Sequence, residues 1–175
     1  MLSWSEVGIK SLMRKTGFAI FMLVALAGCN TPPPAPAVDV AAETGKLHDV
    51  ESAWVKESAA KDLDKIVAHY TDDAVLMGPG MPAAKGKDAI RAAWKGVLDA
   101  SDGKLQFGAE RVELGKSGDI ATTQGPYTMT VTNPKTKKSA VDKGNYVTVY
   151  QKQADGGWKA VEDIFVSEIP PPAPR

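Results

Sequence analysis

Two clusters of titratable side chains mark where this 175-residue chain could do chemistry. The first is "HYTDDAVLMGPG", residues 69–80, where His69, Tyr70, Asp72 and Asp73 precede an apolar run and a Pro-Gly turn. A histidine beside carboxylates is the material of acid/base catalysis. The second is "WKAVEDIFVSEI", residues 158–169, whose alternation puts Val161, Asp163 and Phe165 on one strand face and Ala160, Glu162, Ile164 and Val166 on the other. Counting removes other chemistries. His48 and His69 are the two histidines and Cys29 the one cysteine, so no Cys-rich metal site and no intrachain disulfide can form. There is no phosphate loop and no nucleophile with a base at motif spacing, and neither a metal nor another cofactor is expected.

Residues 1–28 form a signal peptide rather than part of the fold. Lys10, Arg14 and Lys15 are followed by the apolar run "GFAIFMLVALA", too short to span a bilayer as a mature helix. Met13 opens "MRKTGF", itself a compact signal start. The run ends "LAGC", which resembles a bacterial lipobox, with Cys29 as the lipidated residue. That resemblance implies a periplasmic, membrane-anchored lipoprotein. Asn30 is not the aspartate associated with inner-membrane retention, which favours the outer membrane. Residues 29–41 form a Pro/Ala tether and residues 169–175 a Pro-rich tail. Without residues 1–28 the chain keeps 147 residues, 18 basic and 20 acidic. One domain fits that length. The balanced charge excludes nucleic acid as a partner.

The elements of that domain, residues 42–168, must position the titratable groups. Leu47, Val50, Ala53 and Trp54 give a helical stripe. "KDLDKIVAHY" is a second, short helix with Asp62 as N-cap and Leu63, Ile66, Val67 and Tyr70 on its buried side. That pattern leaves His69 on the polar surface, and places Asp72 and Asp73 at a helix-to-strand joint, held by Asx-type turn bonds. A third helix buries Ile90, Ala93, Trp94, Val97 and Leu98. After Gly103 the period becomes two, and "LQFGAERVEL", "DIATTQGPYTMTVT", "SAVDKGNYVTVYQKQ" and "WKAVEDIFVSEI" read as strands, the last two joined by a hairpin at "ADGGW". Helices and one strand followed by an antiparallel meander is an α+β pattern.

Three segments, "AWVKESAAKDLDKIVAHYTDDAVLMGPG", "KGKDAIRAAW" and "GDIATTQGPY…KGNYVTVYQKQADGGWKAVEDIF", resemble the SnoaL-like and ketosteroid isomerase-like domains of the nuclear-transport-factor-two-like superfamily. The resemblance implies a cone: a curved antiparallel sheet wrapped around a long N-terminal helix, with two further helices and an apolar pocket at the wide end. It also implies a homodimer through the sheet. Matched to the steroid isomerases, Gly78 occupies the position of the general base, Trp54 that of the enolate-stabilising tyrosine, and Tyr146 that of the protonated aspartate of the oxyanion hole. The base is therefore absent, and steroid isomerisation is not expected. The resemblance turns Val161, Asp163 and Phe165 toward the pocket, and burial there raises a carboxyl pKa. Asp142 and Tyr146 complete a polar cluster near the mouth. Trp54, Tyr70, Met77, Gly78, Trp94 and Tyr127 supply the remaining wall, which suits a small apolar or aromatic organic ligand. Trp158 alternates to the outside of the hairpin.

Three functions remain open. The domain could be a non-catalytic binding module, an isomerase, dehydratase or hydrolase using Asp163 with Tyr146, or a dimeric interaction module. The fold alone does not choose.

Overall fold

The computed structural model describes residues 37–132 and 136–169. The signal segment, Cys29, most of the tether and all but the first residue of the Pro-rich tail lie outside the described residues. Asp39 caps the first helix by accepting from the Ala42 N–H. This helix, α1 (Val40–Ala59), buries Glu43, Leu47, Glu51, Trp54 and Ser58. Their spacing is the 3.6-residue repeat of a single stripe, but two of its members are carboxylates. Helix α2 (Leu63–Ala68) starts where Asp62 accepts from the Lys65 N–H, the cap expected from the sequence. Helix α3 (Gly86–Ser101) buries Ile90, Trp94, Leu98 and Ser101. It stops at Asp102 in a left-handed conformation, followed by Gly103.

The strands are β1 (Tyr70–Met77), β2 (Ala84–Lys85), β3 (Leu105–Phe107), β4 (Arg111–Leu114), β5 (Ile120–Thr132), β6 (Ser139–Lys152) and β7 (Trp158–Ser167). They form one curved, unclosed sheet in the order β2-β1-β7-β6-β5-β3, with β4 also on β5. Every pairing is antiparallel except β1 with β7, which is parallel, so the sheet is mixed. β1 lies on the far side of β7 from its hairpin partner β6, and this brings Tyr70 next to the last strand. The segment "LQFGAERVEL" is two strands rather than one. The chain breaks pairing at residues 108–110, where the Gly108 carbonyl crosses so closely over Gly125 of β5 that a Cβ there would sit 2.1 Å from its oxygen. Glycine is the residue that fits this crossing.

A second irregularity decides what the last strand presents. In the β6–β7 pairing Tyr150 opposes Ala160 and Val149 opposes Glu162, so Val161 is an extra residue. The bulge shifts the alternation by one. Trp158 and Ala160 face inward before it, and Asp163 faces inward after it. Trp158 therefore does not lie on the outside of the hairpin. It is buried, and its indole N–H donates to Glu43 Oε2 at 2.8 Å. Glu43 also meets Lys152 at 2.8 Å and Lys46 at 2.9 Å. These cations hold its carboxyl far below the usual range, at about 2, Lys152 contributing most.

The Asp72–Asp73 pair is also corrected. Both are exposed residues of β1 rather than turn anchors. Asp72 pairs with Lys87 of α3 at 2.6 Å, and Asp73 accepts from the Thr71 hydroxyl at 2.9 Å. His69 leaves the polar surface: its ring stacks on Trp54 with centroids 4.8 Å apart, and its Nε2 lies 2.6 Å from Glu57 Oε2.

Candidate functional site

Between the helices and the concave face of the sheet lies an open cavity. Trp54 of α1, Trp94 and Val97 of α3, and Leu76 of β1 form one side. Leu105 and Phe107 of β3, Tyr127 and Met129 of β5, Tyr146 and Thr148 of β6, and Asp163 and Phe165 of β7 form the other. It encloses about 550 Å³ counting its open mouth. A compact organic molecule fits such a space.

Asp163 is the single charged side chain among the described residues of this wall. The Tyr70 hydroxyl donates to its Oδ2 at 2.5 Å and the Thr148 hydroxyl to its Oδ1 at 3.2 Å. Tyr70 is itself held, because the Trp94 indole N–H donates to its oxygen at 2.8 Å. The relay Trp94–Tyr70–Asp163–Thr148 thus joins α3, β1, β7 and β6. Desolvation pushes the Asp163 carboxyl up to about 6, against the opposing effect of the bonds from Tyr70 and Thr148; the Glu51 carboxylate adds to the rise. Tyr70 is raised far above its ordinary value, first by burial and then by the Asp163 charge.

Glu51 is the residue that sequence reasoning missed. It is 2 % exposed on the buried stripe of α1. The Tyr146 hydroxyl donates to its Oε2 at 2.6 Å and the Tyr150 hydroxyl to its Oε1 at 3.4 Å. Burial, and then the bond to Glu51, raise the Tyr146 hydroxyl far above the tyrosine range. The signal was present: Glu43, Leu47 and Glu51 repeat at intervals of four and share a face with Trp54. A carboxylate at a stripe position asks for a buried partner.

The expected site residues divide accordingly. Trp54, Trp94, Tyr127, Tyr146, Asp163 and Phe165 line the cavity. Tyr70 stands behind the wall and reaches the site through Asp163. Met77 does not line it, because Leu76 takes the inward position on β1. Val161 does not, because it is the bulged residue. Asp142 does not join Tyr146; it accepts from Tyr127 at 3.3 Å and from Ser167 at 2.6 Å. That carboxylate, after burial, brings the Tyr127 hydroxyl up to about 12. Gly78 lies under the Phe165 ring, whose Cζ would be 2.3 Å from a Cβ at this position. A side chain at this position would have to displace the Phe165 ring. Among the described residues no group of three or more His, Cys, Asp or Glu is arranged to hold a metal ion, and no helix is long and apolar enough to cross a membrane.

Three helices on a bent mixed sheet around a pocket of this kind define the cone-shaped domains whose fold typically carries a ligand site. The chain belongs to the SnoaL-like domain family, which matches residues 52–161. Solved structures share the fold. A ketosteroid isomerase-like protein from Erwinia carotovora atroseptica is 26 % identical with a TM-score of 0.66, covering 73 % of this chain and 98 % of that one. An NTF2-like protein with a cystatin-like fold from Novosphingobium aromaticivorans is 14 % identical with a TM-score of 0.60, covering 76 % and 86 %. A conserved protein from Planctomyces limnophilus is 18 % identical with a TM-score of 0.61, covering 73 % and 97 %. No curated protein matches the chain.

Proposed function

We propose that this domain binds a compact organic molecule in the aromatic cavity, with Asp163 as its polar anchor, and that the chain is a lipoprotein displaying that pocket at a bacterial membrane. The observation that carries the pocket reading is the Asp163 carboxylate, 8 % exposed, set in an otherwise uncharged wall. Its two hydroxyl donors leave acceptor positions of the carboxylate unfilled, as a polar anchor requires. The lipobox-like "LAGC" and the Pro/Ala tether support periplasmic anchoring through Cys29, with the outer membrane favoured. The exposed Val141, Val147 and Val166 on β6 and β7 support a homodimer through the sheet.

A catalytic reading has one specific observation behind it. A carboxyl titrating at about 6 can give and take a proton near neutral pH. Its hydroxyl partner is Tyr70, since the Tyr146 hydroxyl is engaged by Glu51. An isomerase, dehydratase or hydrolase of this family would therefore use Asp163 as acid or base, with Tyr146 left to contact substrate from the wall.

Native mass spectrometry of the full chain against a set of one-ring alcohols, amines and acids tests the binding reading. We expect a 1:1 adduct with at least one class, and its loss in Val97→Trp, which fills the cavity from α3. Equal adducts on wild type and Val97→Trp would show that binding lies elsewhere. Turnover of a bound compound by wild type and not by Asp163→Asn would establish the catalytic reading.

A further inference from the structure

We infer that the molecule this cavity selects is a compact organic cation, a quaternary ammonium or a protonated amine, held among aromatic rings against Asp163. The inference rests on the pocket reading above and names the class of its ligand.

Half of the twelve lining side chains are aromatic: Trp54, Trp94, Phe107, Tyr127, Tyr146 and Phe165. Three of their pairs meet at steep angles, while Trp54 and Trp94 are tilted at 39°. Phe107 meets Tyr146 at 77°, Tyr127 meets Phe165 at 87°, and Trp54 meets Phe107 at 86°. Rings set around a space in several planes surround a guest with π-systems, which attract a cation where water is excluded. Charge points the same way. Among the described residues the lining contains Asp163 and no lysine, arginine or histidine. A second carboxylate, Glu51, lies directly behind Tyr146. His69 stacks on Trp54, but it is paired with Glu57.

Each ligand class then has a defined consequence. An anion would meet the Asp163 carboxylate in the wall, with Glu51 behind Tyr146, and no counter-charge. A neutral apolar guest would displace water from Asp163 and deepen its desolvation. A cation replaces that water with an opposite charge. Asp163 also has room for it: an ionised carboxylate offers about four acceptor positions, and Tyr70 and Thr148 take two. The groups facing Asp163 are Tyr70 from β1, Thr148 from β6 and, at longer range, Tyr146 and Tyr150 from β6 and Glu51 from α1. None is basic, so the protein itself does not neutralise it.

The test compares choline with 3,3-dimethylbutan-1-ol, its uncharged carbon isostere, by NMR titration of the full chain at pH 8 and pH 5. At pH 8 choline should bind at least about tenfold tighter than the alcohol. The ratio should fall toward one at pH 5, where Asp163 is protonated, and in Asp163→Asn at either pH. If the alcohol binds as tightly as choline, or more tightly, the cation inference is overturned while the pocket reading stands. If choline wins at both pH values and equally in Asp163→Asn, the assignment to Asp163 is overturned. If neither binds and the one-ring set also fails, both readings fall together. The wild-type ratio is decisive even if Asp163→Asn does not fold.

Discussion

Replacing Asp163 by asparagine tests the electrostatics of the site without reference to any ligand. The carboxyl titrates at about 6 in the folded protein, against about 3.9 in an unfolded chain. The folded pKa is raised, so the protonated form is the one the fold prefers. The stability tied to that proton is fully present below the unfolded value and is lost as pH rises through 6. A difference of about two pKa units corresponds to about 3 kcal/mol at full ionisation, of which about 2 kcal/mol falls between pH 4 and pH 8 because some ionisation cost already applies at pH 4. Asparagine does not titrate. Whatever its pH-independent cost in altered bonds to Tyr70 and Thr148, the difference in unfolding free energy between variant and wild type should move by about 2 kcal/mol in favour of the variant over this range. Urea denaturation of both proteins at four pH values measures that movement. A difference that stays constant with pH, or that moves toward the wild type on raising pH, would refute the claim that Asp163 is desolvated.

Three further outcomes follow from particular contacts. Gly78→Asp should destabilise the fold by about 1–3 kcal/mol, since its Cβ enters the Phe165 ring, and should produce no isomerisation of a 5-ene-3-ketosteroid in a spectrophotometric assay. Trp158→Phe removes the 2.8 Å indole bond to Glu43 and should cost about 1–3 kcal/mol in urea denaturation, whereas a Trp158 outside the hairpin would cost almost nothing. Cys29→Ser should abolish metabolic labelling with palmitate and move the protein from the membrane to the soluble fraction; retained labelling would refute lipidation at that cysteine.

What the sequence showed of this molecule depended on how regular each element is. The Trp94 face of α3 and the Asp62 cap follow from spacing and cap chemistry, and both stand in the structure. The recognisable segments were enough for the cone, because they span the joints that fix topology. The parallel β1–β7 pair was hidden, since strand order is a long-range property that alternation does not encode. The bulge at Val161 was hidden for a related reason. One extra residue reverses which side chains face inward, so Trp158 moved in and Val161 moved off the wall while Asp163 and Phe165 stayed on it. Glu51 was overlooked because a glutamate on an amphipathic helix is ordinarily assigned to water. His69 was misplaced because a six-residue helix has too little length for its faces to be separated by pattern.

The central claim is that the cavity beside Asp163 is the working site, and the indole resonances test it most directly. Trp54 and Trp94 line the cavity, whereas Trp158 is bound to Glu43, three turns of α1 before Trp54. Titrating the ¹⁵N-labelled full chain with choline at pH 8 should shift the Trp54 and Trp94 indole N–H cross-peaks in a saturable way and leave that of Trp158 in place. Saturable shifts confined to Trp158, or no saturable shift of Trp54 and Trp94 with choline or any of the one-ring probes, would contradict the account.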